Sequence, residues 1–330
     1  MRSSTPTPNR RQFLQCLSAG TVTFALPGIA RAETSSKILR IGLITDVHKD
    51  IMPDADDRLR TFVNAMTAEK ADALIQLGDF CVPKPANKDF LDIFNGFAGP
   101  KHHLLGNHDM DGGFKREQTV AFFGMPSRYY SFDLGGFHFI MLDSNDRPKD
   151  FKGGYPSHVA ADQVAWLKED LAKTRLPTFV FSHQSLERPT CITNQAEIRT
   201  ILEAEKLPDG TRKVAACLNG HWHIDHHREI NGIPYLHINS ASYFWMGGKY
   251  KTERLDPELA KKFPWVSSTA PYNKALFTVL EIDPAAGEFR IRSAEDSWMG
   301  PSPADLAYQN KDLEPAWVKP AISAVQHKLS

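Results

Sequence analysis

Cysteine is scarce, net charge is nil and no apolar run is long. Four Cys in 330 residues cannot supply a disulfide framework. Lys plus Arg number 39, as do Asp plus Glu, so a strongly basic nucleic-acid-binding surface is excluded as the default. The stretch Leu17 to Leu26 is modestly apolar, about ten residues long and too short to span a bilayer. Internal repeats and low-complexity tracts are also lacking. What remains is an ordinary globular mix, 42% apolar and 24% charged, long enough for one large domain or two modest ones.

The first 32 residues have four Arg and no acid. A polar, basic stretch ends in Asn9-Arg10-Arg11-Gln12-Phe13-Leu14. The weak apolar run follows, and then Ala30-Arg31-Ala32 puts small residues where a signal peptidase reads. The order resembles a twin-arginine signal. It implies export by the twin-arginine machinery to the periplasm or the medium, with no transmembrane span once residues 1–32 are removed. The remaining 298 residues carry 35 basic and 39 acidic side chains. Their Cys81, Cys191 and Cys217 are odd in number, which favours buried thiols over a complete disulfide set.

After the signal, strand and helix patterns alternate. Ile38–Ile44, Ala73–Leu77 and His103–Leu105 read as strands. Helices are predicted over 57–70 and 90–97 between them, which implies parallel βαβ units. Tyr130–Leu134 and Phe137–Leu142 flank Gly135-Gly136 as a hairpin. A helix over 160–173 and strands at 178–181, 214–218, 235–238, 275–282 and 288–291 complete about ten strands. A two-sheet sandwich flanked by helices fits this count. Residues 245–272 read as an insertion or lid, and 296–330 as a C-terminal extension beyond a domain spanning 36–295.

The predicted strands end in metal-ligand residue types. They terminate in Asp46-Val47-His48, Gly78-Asp79, Gly106-Asn107-His108-Asp109, Ser182-His183 and Gly220-His221-Trp222-His223. Ligands of open α/β sheets bind beyond the carboxyl ends of strands, so these loops can converge. Asp46, His48, Asp79, Asn107, His183, His221 and His223 offer three carboxylate or amide oxygens and four imidazoles. That is too many for one catalytic ion and suits two sharing a carboxylate. Mixed imidazole and carboxylate favours Mn, Fe, Zn or Co over Ca or Mg.

The ordered set resembles the calcineurin-like metallophosphoesterase superfamily, over about residues 38–295. The resemblance implies a four-layer α/β/β/α sandwich with a dinuclear metal site at the strand C-terminal ends. It implies Asp46, His48, Asp79 and His223 on one ion, and Asp79, Asn107, His183 and His221 on the other. His108 would face the scissile phosphate, held by Asp109 or Asp79, and protonate the leaving oxygen after attack by a metal-bridging hydroxide. Val82 stands where purple acid phosphatases carry a Tyr ligand, and His48 is present. The chain is therefore closer to bacterial enzymes of the cyclic-nucleotide phosphodiesterase type. The expectation is an exported, metal-dependent hydrolase of small phosphate esters. It is a diesterase sooner than a monoesterase, because no Arg cluster for a dianion is visible. A non-specific phosphomonoesterase and a non-catalytic metal-binding interaction module are the alternatives.

Overall fold

The computed structural model describes residues 37–188 and 191–330, so the segment read as a signal lies outside the described residues. The strands are β1 (Leu39–Ile44), β2 (Ala73–Gln76), β3 (Lys101–His103), β4 (Tyr130–Leu134), β5 (Phe137–Leu142) and β6 (Thr178–Ser182). Next come β7 (Val214–Asn219), β8 (His226–Ile230), β9 (Ile233–His237), β10 (Tyr243–Trp245) and β11 (Thr269–Pro271). The last are β12 (Thr278–Asp283), β13 (Glu288–Ile291), β14 (Ala294–Glu295), β15 (Ala321–Ile322) and β16 (Val325–Lys328). The helices are α1 (Ala55–Ala68), α2 (Lys88–Asn95), α3 (Arg116–Phe123), α4 (Ala161–Lys173), α5 (Gln195–Ala204) and α6 (Pro257–Lys262).

Two six-stranded sheets form the centre, ordered β16-β13-β12-β1-β2-β3 and β4-β5-β6-β7-β9-β8. β1, β2 and β3 run parallel, as do β5, β6, β7 and β9. Side chains alternate across each strand and sort into layers. Ile41 and Leu43 of β1 meet Phe139 of β5 and Phe179 and Phe181 of β6 between the sheets. The next layer out on one side joins Ile44 and Leu74 to Leu59 and Phe62 of α1 and Phe90 and Phe94 of α2. On the other side Ile140, Leu142 and Val180 meet Leu167 and Leu171 of α4 and Ile198 and Leu202 of α5. This is the α/β/β/α sandwich, with the inner strands of both sheets buried on both faces, which is why those strands read as continuous apolar runs.

Three regions differ from expectation. Helices α3 and α5 and strand β8 are additional elements. The predicted insertion at 245–272 is a two-stranded ribbon, β10 with β11, bearing α6 and a short 3₁₀ turn at Pro264–Ser268. The segment expected as a C-terminal extension folds back onto the domain. There β16 adds the edge strand beside β13, β15 pairs β14, and Asn239 Nδ2 donates to the carbonyls of Lys319 (2.8 Å) and Ala321 (3.0 Å). Cys81, Cys191 and Cys217 are free and buried. No helix among the described residues is long and apolar enough to cross a membrane.

Candidate metal centre

Five parallel strands deliver the candidate ligands. Asp46 and His48 follow β1, Asp79 follows β2, Asn107 and His108 follow β3, His183 follows β6, and His221 and His223 follow β7. Each chain must turn away from its sheet within two or three residues, and the backbone records this. Asp46, His48, Asp79, His221 and His223 all sit at positive φ, between 52° and 71°. Such conformations are uncommon in non-glycine residues and cluster at functional sites. Gly78 reaches φ +101°, and a Cβ on Gly106 would overlap the backbone and carboxylate of Asp79, so the second and third loops need glycine to touch.

The side chains come together in two groups: Asp46 with His48 and His223, and Asp79 with His183 and His221. Each carboxylate has one oxygen anchored and the other directed inward. Asp46 Oδ2 accepts from Thr45 Oγ1 (2.5 Å) and the His221 amide (3.0 Å). Its Oδ1 lies 3.0 Å from His223 Nε2 and 3.8 Å from the Nε2 atoms of His48 and His183. Asp79 Oδ1 accepts the His108 amide (2.8 Å), while Oδ2 lies 3.1 Å from His183 Nε2 and 3.7 Å from His48 Nε2. Asp79 thus faces a histidine of each group.

Two imidazoles are oriented by backbone carbonyls. His183 Nδ1 donates to the Leu77 carbonyl (2.8 Å) and His223 Nδ1 to that of Tyr243 (2.7 Å). A carbonyl only accepts, so in each ring Nε2 is the atom turned to the centre. Further support comes from the loop after β9. Ser240 Oγ donates to the Asp46 carbonyl (2.9 Å) and Ser242 Oγ to that of Val47 (2.8 Å). Ser240 and Asn239 are therefore buried props behind the cleft.

A pair of divalent cations fits these residues. His183 Nε2 and Asn107 Oδ1 are buried yet make no hydrogen bond, and such orphans are costly without a partner. The donor set of carboxylates, imidazoles and an amide oxygen is that of a transition-metal pair. Electrostatics agrees: burial raises Asp46 and Asp79, but His223 and His183 outweigh it and hold both well below the usual carboxylate range. Burial holds His48 and His221 down at about 3.

His108 lines the cleft beside this cluster, its ring 5.1 Å from that of His48. Of the two expected partners, Asp79 accepts the His108 amide and Asp109 lies elsewhere. Its carboxylate is fully occupied by the backbone amides of Asp79 (3.1 Å), Phe80 (2.7 Å), Cys81 (3.0 Å) and Gly106 (2.7 Å), tying the second loop to the third. Asp111 takes the position against His108 Nδ1 at 2.6 Å, with the Tyr155 hydroxyl at 3.0 Å. Burial opposes the charge on His108, but Asp79 and Asp111 raise its pKa to about 9. Two basic side chains on these loops are engaged elsewhere. Lys49 pairs with Asp56 at 2.7 Å, and Arg188 is held between Trp222 and Trp317, 4.5 and 5.3 Å from their rings. The cleft above the cluster encloses about 790 Å³, and among the described residues no Lys or Arg lines it.

A curated relative, a probable cyclic nucleotide phosphodiesterase of Fibrobacter succinogenes, is 26% identical over 219 residues, covering 59% of this chain and 77% of its own. The fold resembles the crystal structure of a dimetal phosphatase from Danio rerio, with a TM-score of 0.55 and 16% identity, covering 79% of this chain and 98% of that one. The profile of the calcineurin-like phosphoesterases matches residues 39–225. Every strand end that supplies the cluster falls inside that match, and the chain belongs to the calcineurin-like phosphoesterase family, as a phosphoester hydrolase with a dinuclear divalent-cation site.

Proposed function

We propose that this chain is an exported phosphodiesterase acting on small diesters. One observation carries the diester assignment: among the described residues, the cleft wall holds no Lys or Arg. A monoester arrives as a dianion and needs cationic side chains beyond the metal pair, as Arg clamps provide. A diester carries one negative charge and does not.

Asp46, His48, Asp79 and His223 would hold one cation, and Asp79, Asn107, His183 and His221 the other, with Asp79 shared. When bound, the ions supply positive charge to the phosphoryl oxygens and lower the pKa of a water to about 7. Mn, Fe, Zn and Co all suit the donors. His108 carries its proton to the cleft and gives it to the leaving oxygen from Nε2, because Asp111 and Tyr155 engage Nδ1. Asp111 is the positioning residue and Asp109 the brace of the loops beneath. The Arg10-Arg11 pair and Ala30-Arg31-Ala32 support export by the twin-arginine route, with cleavage after Ala32 read by N-terminal sequencing of the secreted protein.

The test is hydrolysis of bis-p-nitrophenyl phosphate beside p-nitrophenyl phosphate by metal-reloaded protein lacking residues 1–32. Faster turnover of the diester supports the reading. Preference for the monoester makes the chain a phosphatase instead.

A further inference from the structure

Among the described residues, three large hydrophobic side chains stand exposed: Tyr155 at 48%, Trp245 at 42% and Trp265 at 57%. All three line the cleft above the candidate ligands. Exposed aromatics gathered on one concave wall mark a binding surface. The rings also have a direction. Tyr243 lies 5.0 Å from His48 and 4.9 Å from His223, ring to ring. Trp245 lies 6.5 Å beyond Tyr243, and Trp265 6.3 Å beyond Trp245. The series steps outward from the cluster to the rim along β10 and the turn before β11. Trp222 shares the cleft but is engaged: its N–H donates to Cys191 Sγ at 2.7 Å, and the Arg188 guanidinium covers its face. Trp245 and Trp265 have no such partners.

Charge narrows the occupant. A second phosphate or a carboxylated group calls for Lys or Arg, and the described lining has none. A cationic headgroup is held best where rings adjoin an unpaired carboxylate. The outer carboxylates are both paired, Asp50 with Lys84 at 2.5 Å and Asp111 with His108 at 2.6 Å. A neutral planar ring suits what is left. We propose that Trp245 and Trp265 form a subsite for an uncharged planar ring on the diester's second substituent, the chemistry of a nucleobase or an aryl group. This rests on the phosphodiesterase reading above.

The test uses p-nitrophenyl diesters that share one leaving group and differ in the other arm: p-nitrophenyl, thymidine, methyl or choline. The aryl or thymidine ester should exceed the methyl ester in kcat/KM by about tenfold, a typical stacking contribution. That ratio should fall towards one in the Trp245→Ala/Trp265→Ala variant. Which ring ester leads identifies the source of the ring. A choline ester that leads, or a ratio that survives the double substitution, overturns the subsite. Calorimetry with benzyl(methyl)phosphinate, which carries the phenyl ring, and ethyl(methyl)phosphinate, neither of which has an ester bond to hydrolyse, separates the two claims. Tighter phenyl binding that vanishes in the variant supports the subsite even without diester turnover, in which case the phosphodiesterase reading alone fails. Equal affinities overturn the subsite.

Discussion

His108 Nδ1 and Asp111 Oδ2 stand 2.6 Å apart, and the Tyr155 hydroxyl closes on the same carboxylate at 2.9 Å from 44 residues further along the chain. A histidine fixed at one nitrogen presents the other at a set angle, which is what proton donation to a leaving oxygen requires. The consequence depends on the leaving group. His108→Ala should lower kcat by about 10²–10⁴-fold for alkyl leaving groups, the usual worth of a general acid, and by less for p-nitrophenolate, which departs without a proton. Asp111→Asn should show the same pattern in weaker form. Equal losses on both leaving groups would remove the acid role from His108.

Asp109 makes a different prediction. Its carboxylate accepts four backbone amides from two loops. Asp109→Ala leaves those amides buried and unpaired, at about 1–3 kcal/mol for each unsatisfied group. The loss in urea-unfolding free energy should reach about 3 kcal/mol or more, with Asp109→Asn recovering part of it. A variant as stable as the parent would show that the brace carries no load.

His138 lies far from the cleft and links strand β5 to helix α4. Its Nδ1 pairs with Asp133 at 2.6 Å and its Nε2 with Asp170 at 2.8 Å. Burial disfavours the cation, but Asp170 and Asp133 prevail and the pKa is raised. A raised histidine stabilises the fold below its unfolded pKa of about 6.5 and loses that contribution as pH climbs through its folded value. The Tm deficit of His138→Gln should therefore be greater at about pH 6 than at about pH 9, read by thermal unfolding at both values. A deficit that does not shrink with pH would contradict the pairing.

The ligand loops were legible because ligand types fell at the ends of strands whose apolar runs are local signals. Asp46, His48, Asp79, His183, His221 and His223 come together for that reason, and Asn107 lines the same cleft. The partner of His108 was not legible. Asp109 and Asp111 are both close in sequence, and the choice between them is made by the amides of Asp79, Phe80 and Cys81 on another loop. Tyr155 reaches the site through a tertiary contact that no periodicity records. The return of β16 to the edge of the first sheet was hidden for the same cause. Its Val-Gln-His-Lys sequence is short and half exposed, and only pairing with β13 makes it a strand.

The proposed sharing of the Asp79 carboxylate by two cations is the centre of the account. The most direct test is metal analysis alongside diester turnover as Mn²⁺ is titrated into stripped wild-type, Asp79→Ala and His108→Ala proteins. The account predicts that wild type saturates at two ions per chain as activity appears. His108→Ala should bind both ions with little activity on alkyl diesters, and Asp79→Ala should lose metal and activity together. Full activity with one ion, or two tightly held ions in Asp79→Ala, would contradict it.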